Sequence, residues 1–320
     1  MAKKHSVRRS GLTMPVVTPR FVDNAWRRGC DFVYLDLEDS VPRHLKDYAR
    51  SLVKEQIPKV EQGGTEPFVR INHEYVQADL EAVVWPGLRR VRYPKAEDPA
   101  EVKRIDAIMT RLERERGMRP GSVEVDTSLE TAVGVSRVYE IISASPRVKE
   151  MRASTGGYDL SCNLGVEMFQ NFDQFVYIKG ECELAGRALG LGVAGAPFVP
   201  NPSGSVSDGD RALRQATAAR KCGFRLGSGG LNPGVVDGHN KGYTPSDEEV
   251  RDAHWVLEQY ERVCEANEAW MEVEGRIIDR YEAEHAQDTI EFAAACAARD
   301  REKAKAVART QASMAEKKSS

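Results

Sequence analysis

The sequence predicts an α/β fold, a (β/α)8 TIM barrel with a C-terminal helical extension, and three observations point to it. Short apolar runs of β type alternate with helix-length amphipathic segments, the rhythm that builds a parallel sheet. Eight such runs occur before the composition changes at Thr244, and eight is the number that closes a barrel. Finally, polar residues with chemical potential follow many different runs. Strand C-termini converge on one rim in a barrel, whereas an open doubly wound sheet concentrates its chemistry at one switch point.

The elements can be justified in order. The first run is Leu12–Val17. The second, Phe32–Leu37, ends abruptly in acid at Asp36, Glu38 and Asp39. Pro67–Ile71 ends in Arg70 and Asn72, and Arg90–Tyr93 is followed by Lys95. A helix over Pro99–Arg116 leads to Ser122–Asp126, after which comes Glu130, then a helical stretch Thr131–Ala144. Glu150–Ser154 precedes Gly156-Gly157, which let backbone approach a ligand, and Asp159. A helix over Gln174–Leu189 joins it to Gly192–Phe198, followed by Asn201. Asp208–Cys222 has an acidic start and a basic end, which suits the helix dipole. Gly223–Leu226 is the eighth run, followed by Asn232.

From Thr244 the pattern is helical. TPSDEEV is an N-cap signature opening a helix over Asp247–Ala269, and a second helix, Tyr281–Ala308, follows the break MEVEGRIID. No strand is expected after Asp247. The predicted organisation is a catalytic barrel over 1–243, a helical extension over 244–302 that packs on a neighbouring subunit, and a disordered tail rich in Ala, Lys, Arg and Ser over 303–320.

Composition narrows the functional classes. A net charge of −3 over 320 residues argues against a nucleic-acid partner or a polybasic membrane contact. Six cysteines lie far apart with no CxxC, unlike a zinc ribbon or a disulfide scaffold, so a reducing cytoplasm is expected. The basic N-terminus precedes an apolar segment broken by Gly11 and Pro15, a poor signal peptide, and no apolar run approaches the ~20 residues of a membrane span.

Several residue sets carry chemistry. On a strand, Asp36 and Glu38 share a face, and three carboxylates there repel one another unless a cation or a proton relieves them. The alternative is a set of acidic caps on a helix starting at Pro42. Glu130 and Asp159 lie one βα unit apart and would be rim neighbours. Two carboxylates with waters and a substrate oxygen make a Mg2+ site, although both residues also suit helix N-termini. Arg70 can hold a substrate carboxylate by two parallel hydrogen bonds, or pair with Asp36 or Glu38. Lys95 could form a Schiff base or merely neutralise charge. His73 is near the rim, while His239, His254 and His285 form no set. HExxH, GxSxG and P-loop motifs are absent, and the GLGVAG run has the wrong spacing for a dinucleotide fingerprint.

DFVYLDLEDSVP with Lys46 and Ala49-Arg50 resembles the citrate lyase β-subunit-like family of the HpcH/HpaI aldolase and phosphoenolpyruvate/pyruvate barrel group. The likeness continues through FVRIN, VRYPKAED, LETAVGV, GGYDLSCNLG, GFRLGSGGLNPGVVDGHNKGYTPSDEEV and EGRIIDRY, almost the whole chain in order. It implies a Mg2+-dependent carbon–carbon lyase or condensing enzyme that interconverts a malyl-, citramalyl- or citryl-CoA type thioester with a 2-oxo acid and an acyl-CoA. Glu130 and Asp159 would ligate the metal and Arg70 would hold the oxo-acid carboxylate. Asp36 and Glu38 would support the arginine and the metal waters. Gly156, Gly157 and Asn232 would line the substrate. Asp279, supplied by a neighbouring subunit of a homotrimer or homohexamer, would be the base.

This chain departs from the family at Leu231-Asn232-Pro233, where relatives carry Ile-His-Pro, and at Gly195, where they carry aspartate. Val16 follows Pro15 in place of glycine, and the glycine-acid loop reads GGYD. These changes bear on the acyl-CoA side of the pocket. The alternatives are therefore an aldolase acting on a free hydroxy-oxo acid without CoA, a non-catalytic ligand-binding homologue and a thioester hydrolase. A basic groove lined by Arg8, Arg9 or Arg20 would favour CoA.

Overall fold

Most strands of the barrel are short, carry β-branched or aromatic residues, and are followed by a segment that buries an apolar helical stripe, so parallel pairing is the arrangement that covers both. The computed structural model describes residues 6–153, 158–167, 173–197, 199, 205–227 and 229–319. Its barrel strands are β1 (Gly11–Pro15), β2 (Phe32–Asp36), β3 (Glu66–Arg70), β4 (Arg90–Tyr93), β5 (Glu124–Leu129), β6 (Val148–Ala153), β7 (Gly192–Ala194) and β8 (Gly229–Gly230). They lie in the order β7-β6-β5-β4-β3-β2-β1-β8, all pairs parallel. A parallel bridge from Ala194 to Leu226, just before β8, closes the ring.

The helices in chain order are α1 (Pro19–Val22), α2 (Lys46–Glu61), α3 (Val76–Val83), α4 (Pro99–Glu115), α5 (Ala132–Ser136), α6 (Val138–Ser143), α7 (Tyr158–Leu164), α8 (Val176–Ala188), α9 (Gly209–Lys221), α10 (Val236–Tyr243), α11 (Asp247–Glu265) and α12 (Arg280–Ser319). The chain divides into two compact units, one of Arg8–Tyr243 with Lys303–Ser320, the other built on Thr244–Glu302.

Period-two alternation sorts the barrel residues. Val33, Leu35, Val69, Val91 and Val125 belong to the main apolar core with the helices, whereas Phe32, Tyr34 and Phe68 form a separate buried cluster. In β2 to β5 the even-numbered positions thus point into the lumen, and most of them are charged. Near the strand starts, Arg8 pairs with Glu66 at 2.6 Å and Glu150 at 2.8 Å, and Arg90 pairs with Glu124 and Glu150. One layer up, Asp126 accepts from Tyr34 at 2.7 Å and from Arg92 Nε at 2.8 Å.

Four expectations are corrected. The eighth strand is not Gly223–Leu226 but Gly229–Gly230. Leu226 contributes only the closing bridge, because the glycines that follow it can lie flat against β1. The stretch Thr131–Ala144 is two helices, interrupted at Arg137, whose Nη1 donates to the Glu97 carbonyl at 3.1 Å. Strands do occur after Asp247. β9 (Trp270–Val273) and β10 (Arg276–Asp279) form a hairpin whose turn residues, Glu274 at φ 53° and Gly275 at φ 78°, have the left-handed geometry of a two-residue hairpin turn. Residues 303–319 are not a disordered tail but the last turns of α12. Lys303 donates to Asp31 at 2.6 Å and to the Gly29 carbonyl at 2.8 Å, and burying that ion pair offsets the entropy of ordering the segment. The capping box on α11, Ser246 with Glu249, is formed as its sequence indicates.

Candidate functional site

The site begins where β2 and β3 end. Their register sets Asp36 opposite Arg70, so acid and guanidinium leave adjacent strands side by side. Asp36 is fully buried and accepts from Arg70 Nε at 2.6 Å and Nη2 at 2.8 Å. It also accepts from the backbone of Glu38 at 3.1 Å and Ser40 at 3.2 Å, and from the Ser40 hydroxyl. Burial works against its carboxylate, but the Arg70 and Ser40 bonds outweigh that and hold its pKa below the usual range. The acids after β2 therefore fold a loop around an arginine, and a 3-10 turn over Arg43–Leu45 leads into α2 at Lys46.

Arg70 Nη1 lies 2.8 Å from Glu38 Oε2, an ion pair without hydrogen-bond geometry, and 3.1 Å from Asp39 Oδ2. Lys46 Nζ holds the loop from below, donating to the carbonyls of Leu37 at 2.6 Å and Glu38 at 2.7 Å. Asn72 is not directed at a ligand. Its side-chain amide and backbone N–H both donate to Asp79, which Arg50 also pairs at 2.6 Å, so this network props the end of β3.

Lys95 draws the rim together. It follows β4 at φ 50°, a left-handed conformation costly for a residue with a Cβ. Its Nζ donates to Glu38 Oε1 at 2.7 Å and lies 3.7 Å from Asp159 Oδ1, 3.9 Å from Glu130 Oε2 and 3.9 Å from Asp39 Oδ1. Burial opposes the ammonium, yet the hydrogen bond and charge of Glu38, with Asp39 and Glu130, keep its pKa above normal. Burial pushes Glu38 up to about 7 in spite of Arg70 and Lys95. The sequence left Lys95 as a Schiff-base or charge-neutralising residue; its central place comes from four loops meeting.

Glu130 is 5% exposed, and burial raises its pKa against the opposing pull of Ser128 and Lys95. Asp159 sits in the first turn of α7 with a half-exposed side chain. One turn on, Asn163 accepts from the Ala132 N–H at 2.8 Å, tying α7 to the start of α5 and so linking the segments that bear the two acids. Gly134 permits a second close approach: a Cβ there would lie 2.4 Å from the Ala96 carbonyl, so only glycine lets α5 pack on the Lys95 loop.

Two carboxylates flanking one ammonium fit a small hard divalent cation that takes few protein ligands and keeps several waters. Among the described residues no group of three or more His, Cys, Asp or Glu side chains is placed to hold a metal ion.

Other sequence-predicted residues fall elsewhere. Gly156, Gly157 and Asn201 lie outside the described residues. Asn232 accepts from the Gly234 N–H at 2.9 Å and caps the short turn Pro233–Val235. Asp279 belongs to the second unit, where its Oδ1 caps α12 through the N–H groups of Tyr281 at 2.8 Å and Glu282 at 2.9 Å. His73 is exposed and stacks on Tyr93, with ring centroids 5.5 Å apart. Arg8 and Arg9 do not line a basic groove. Arg8 is buried in the ion pairs at the strand starts, and Arg9 binds the buried Asp31 at 2.9 Å. Arg20 is exposed, its guanidinium 5.1 Å from the centroid of the Phe21 ring. At Gly195 a Cβ would lie 2.8 Å from the Phe224 ring, so packing accounts for glycine there.

A closed parallel barrel that gathers carboxylates and cations at its strand C-termini is the architecture of a barrel enzyme. The chain belongs to the family described as HpcH/HpaI aldolase/citrate lyase, whose profile matches residues 9–228, and it is a carbon–carbon lyase in class. It is 27% identical over 290 residues to the citrate lyase subunit beta of Leuconostoc mesenteroides subsp. cremoris, covering 90% of this chain and 93% of that one. It is 28% identical over 288 residues to the L-malyl-CoA/beta-methylmalyl-CoA lyase of Cereibacter sphaeroides, covering 83% and 88%. The crystal structure of the CitE protein from Mycobacterium tuberculosis in complex with magnesium, acetoacetate and coenzyme A has the same fold. Its TM-score is 0.68 at 23% identity, over 89% of this chain and 97% of that one. Among the described residues no helix is long and apolar enough to cross a membrane.

Proposed function

We propose that the protein is a Mg2+-dependent lyase interconverting a 3-hydroxyacyl-CoA thioester of the malyl, citramalyl or citryl type with a 2-oxo acid and an acyl-CoA. The observation that carries this reading is the meeting of Glu130, Asp159, Arg70 and Lys95 on one part of the barrel rim. The names of the malyl-CoA lyase relative and of the magnesium and coenzyme A complex support it.

Glu130 and Asp159 would hold the cation, which when bound stabilises charge developing on the 2-hydroxy or 2-oxo oxygen. Arg70 presents its fork with a fixed orientation because Asp36 grips Nε and Nη2. Asp39, more than half exposed, is the partner at Nη1 that gives way to a substrate carboxylate. In the cleavage direction a base takes the hydroxyl proton, the carbon–carbon bond breaks, and the electron pair passes to the thioester enolate, which is then protonated to the acyl-CoA. Asp279 of a neighbouring subunit fills the role of base, in a trimer or hexamer. The exposed outer face of its hairpin, with Trp270, Ile277 and the following Tyr281, supports a covered position for that segment.

Mass-spectrometric screening of Mg2+-dependent turnover, offering 2-oxo acids with and without acyl-CoAs, tests the reading. Condensation products that require an acyl-CoA are expected. Turnover of a free hydroxy-oxo acid without CoA would replace it with an aldolase. Cation binding without any turnover would leave a ligand-binding homologue.

A further inference from the structure

We propose that the Lys95 ammonium is an internal counter-ion that competes with the divalent cation for Glu130 and Asp159 and so sets the affinity of that site. This rests on the metal reading above.

Lys95 Nζ stands 3.7 Å from Asp159 and 3.9 Å from Glu130, too far to hydrogen-bond either but close enough to offset the repulsion between them. A Mg2+ ion bonded to both carboxylates at about 2.1 Å would enter the space that this ammonium serves. Both carboxylates are shared, and Glu130 is buried, so water screens the two cations from each other poorly.

The fold also provides a retreat. Among the described residues Nζ makes its one hydrogen bond to Glu38 at 2.7 Å, and Asp39, more than half exposed, lies 3.9 Å away. Moving toward these two acids takes the charge off Glu130 and Asp159. The loop itself does not need to move. The Ala96 N–H donates to the Ser128 carbonyl at 3.1 Å, and α5 packs against the Ala96 carbonyl through Gly134, so the strained φ of Lys95 is imposed by its surroundings.

Titrating Mn2+ into the full-length protein, followed by electron paramagnetic resonance, tests this. Lys95→Met should tighten Mn2+ binding about tenfold, Lys95→Arg should stay near wild type, and Glu130→Gln should abolish binding in either background. Binding that Glu130→Gln abolishes but a folded Lys95→Met leaves unchanged or weaker would overturn the inference while leaving the metal reading intact. Absence of Mn2+ binding in both wild type and Lys95→Met would overturn both. A measurement on wild-type protein guards against misfolding of the variant. Acetylation of Lys95 by acetic anhydride, quantified by mass spectrometry, should accelerate several-fold when Mg2+ is added, and an unchanged rate would refute the displacement.

Discussion

Asp36→Asn keeps the shape of the side chain and removes one charge from the Arg70 cradle. Asp36 is fully buried, and its two bonds to the guanidinium are 2.6 and 2.8 Å long. Removing one partner of a buried ion pair typically costs about 3–5 kcal/mol. Arg70 retains Glu38 at 2.8 Å and Asp39 at 3.1 Å and is 19% exposed, which brings the expected loss to about 2 kcal/mol. Thermal unfolding followed by circular dichroism should then show a fall in Tm of about 4 °C at neutral pH. The pH dependence supplies a second check. The folded pKa of Asp36 is lowered, so its stabilisation is complete above the unfolded value of about 3.9 and disappears as pH falls through the lower folded value. The deficit of Asp36→Asn should therefore shrink as pH falls below about 4, separately from the change that Glu38, titrating near about 7, adds at higher pH. A Tm within about 1 °C of wild type at pH 7, or a deficit that grows in acid, would refute the cradle.

Glu130→Gln and Asp159→Asn should each lower Mg2+-dependent turnover by at least about a hundredfold, and full activity in either would remove the metal assignment. His239 is buried, and burial with the charges of Arg211 and Arg152 lowers its pKa to about 4; its folded-state preference for the neutral form is satisfied above about pH 6.5 and lost progressively down to pH 4. Wild-type protein should lose about 3 kcal/mol of stability across that window from this group, and His239→Leu should flatten the urea-denaturation profile there. Lys303→Met takes one of the cations from the buried Asp31 and should cost about 2 kcal/mol, with faster trypsin cleavage in the last turns of α12. Gly134→Ala places a Cβ 2.4 Å from the Ala96 carbonyl and should cost about 1–3 kcal/mol, seen as a lower urea-denaturation midpoint than wild type.

The barrel was legible because its signals are local. Alternating runs of period 2 and period 3.6 mark strands and helices before any contact forms, and Arg90–Tyr93 matches the observed strand at both ends. Where the local signal was weak, the reading slipped. Gly229–Gly230 has no side chains to show a strand pattern and is identified only by its pairing with Gly11 and Leu12. The hairpin after Val273 did carry a signal, the Glu274-Gly275 pair between alternating residues, which the surrounding charged helices obscured.

Residue type and position sufficed to bring Asp36, Glu38 and Arg70 into one candidate set, because the chain must relieve three adjacent carboxylates and the neighbouring strand ends in a cation. Whether Arg8 and Arg90 face solvent or the barrel floor depends on strand register, and register is a property of pairing between distant segments. Tertiary structure alone decided that Lys95 stands among Glu38, Asp39, Glu130 and Asp159. Those acids are up to 121 residues apart in sequence, and electrostatic coupling follows distance in space, which only closure of the barrel establishes.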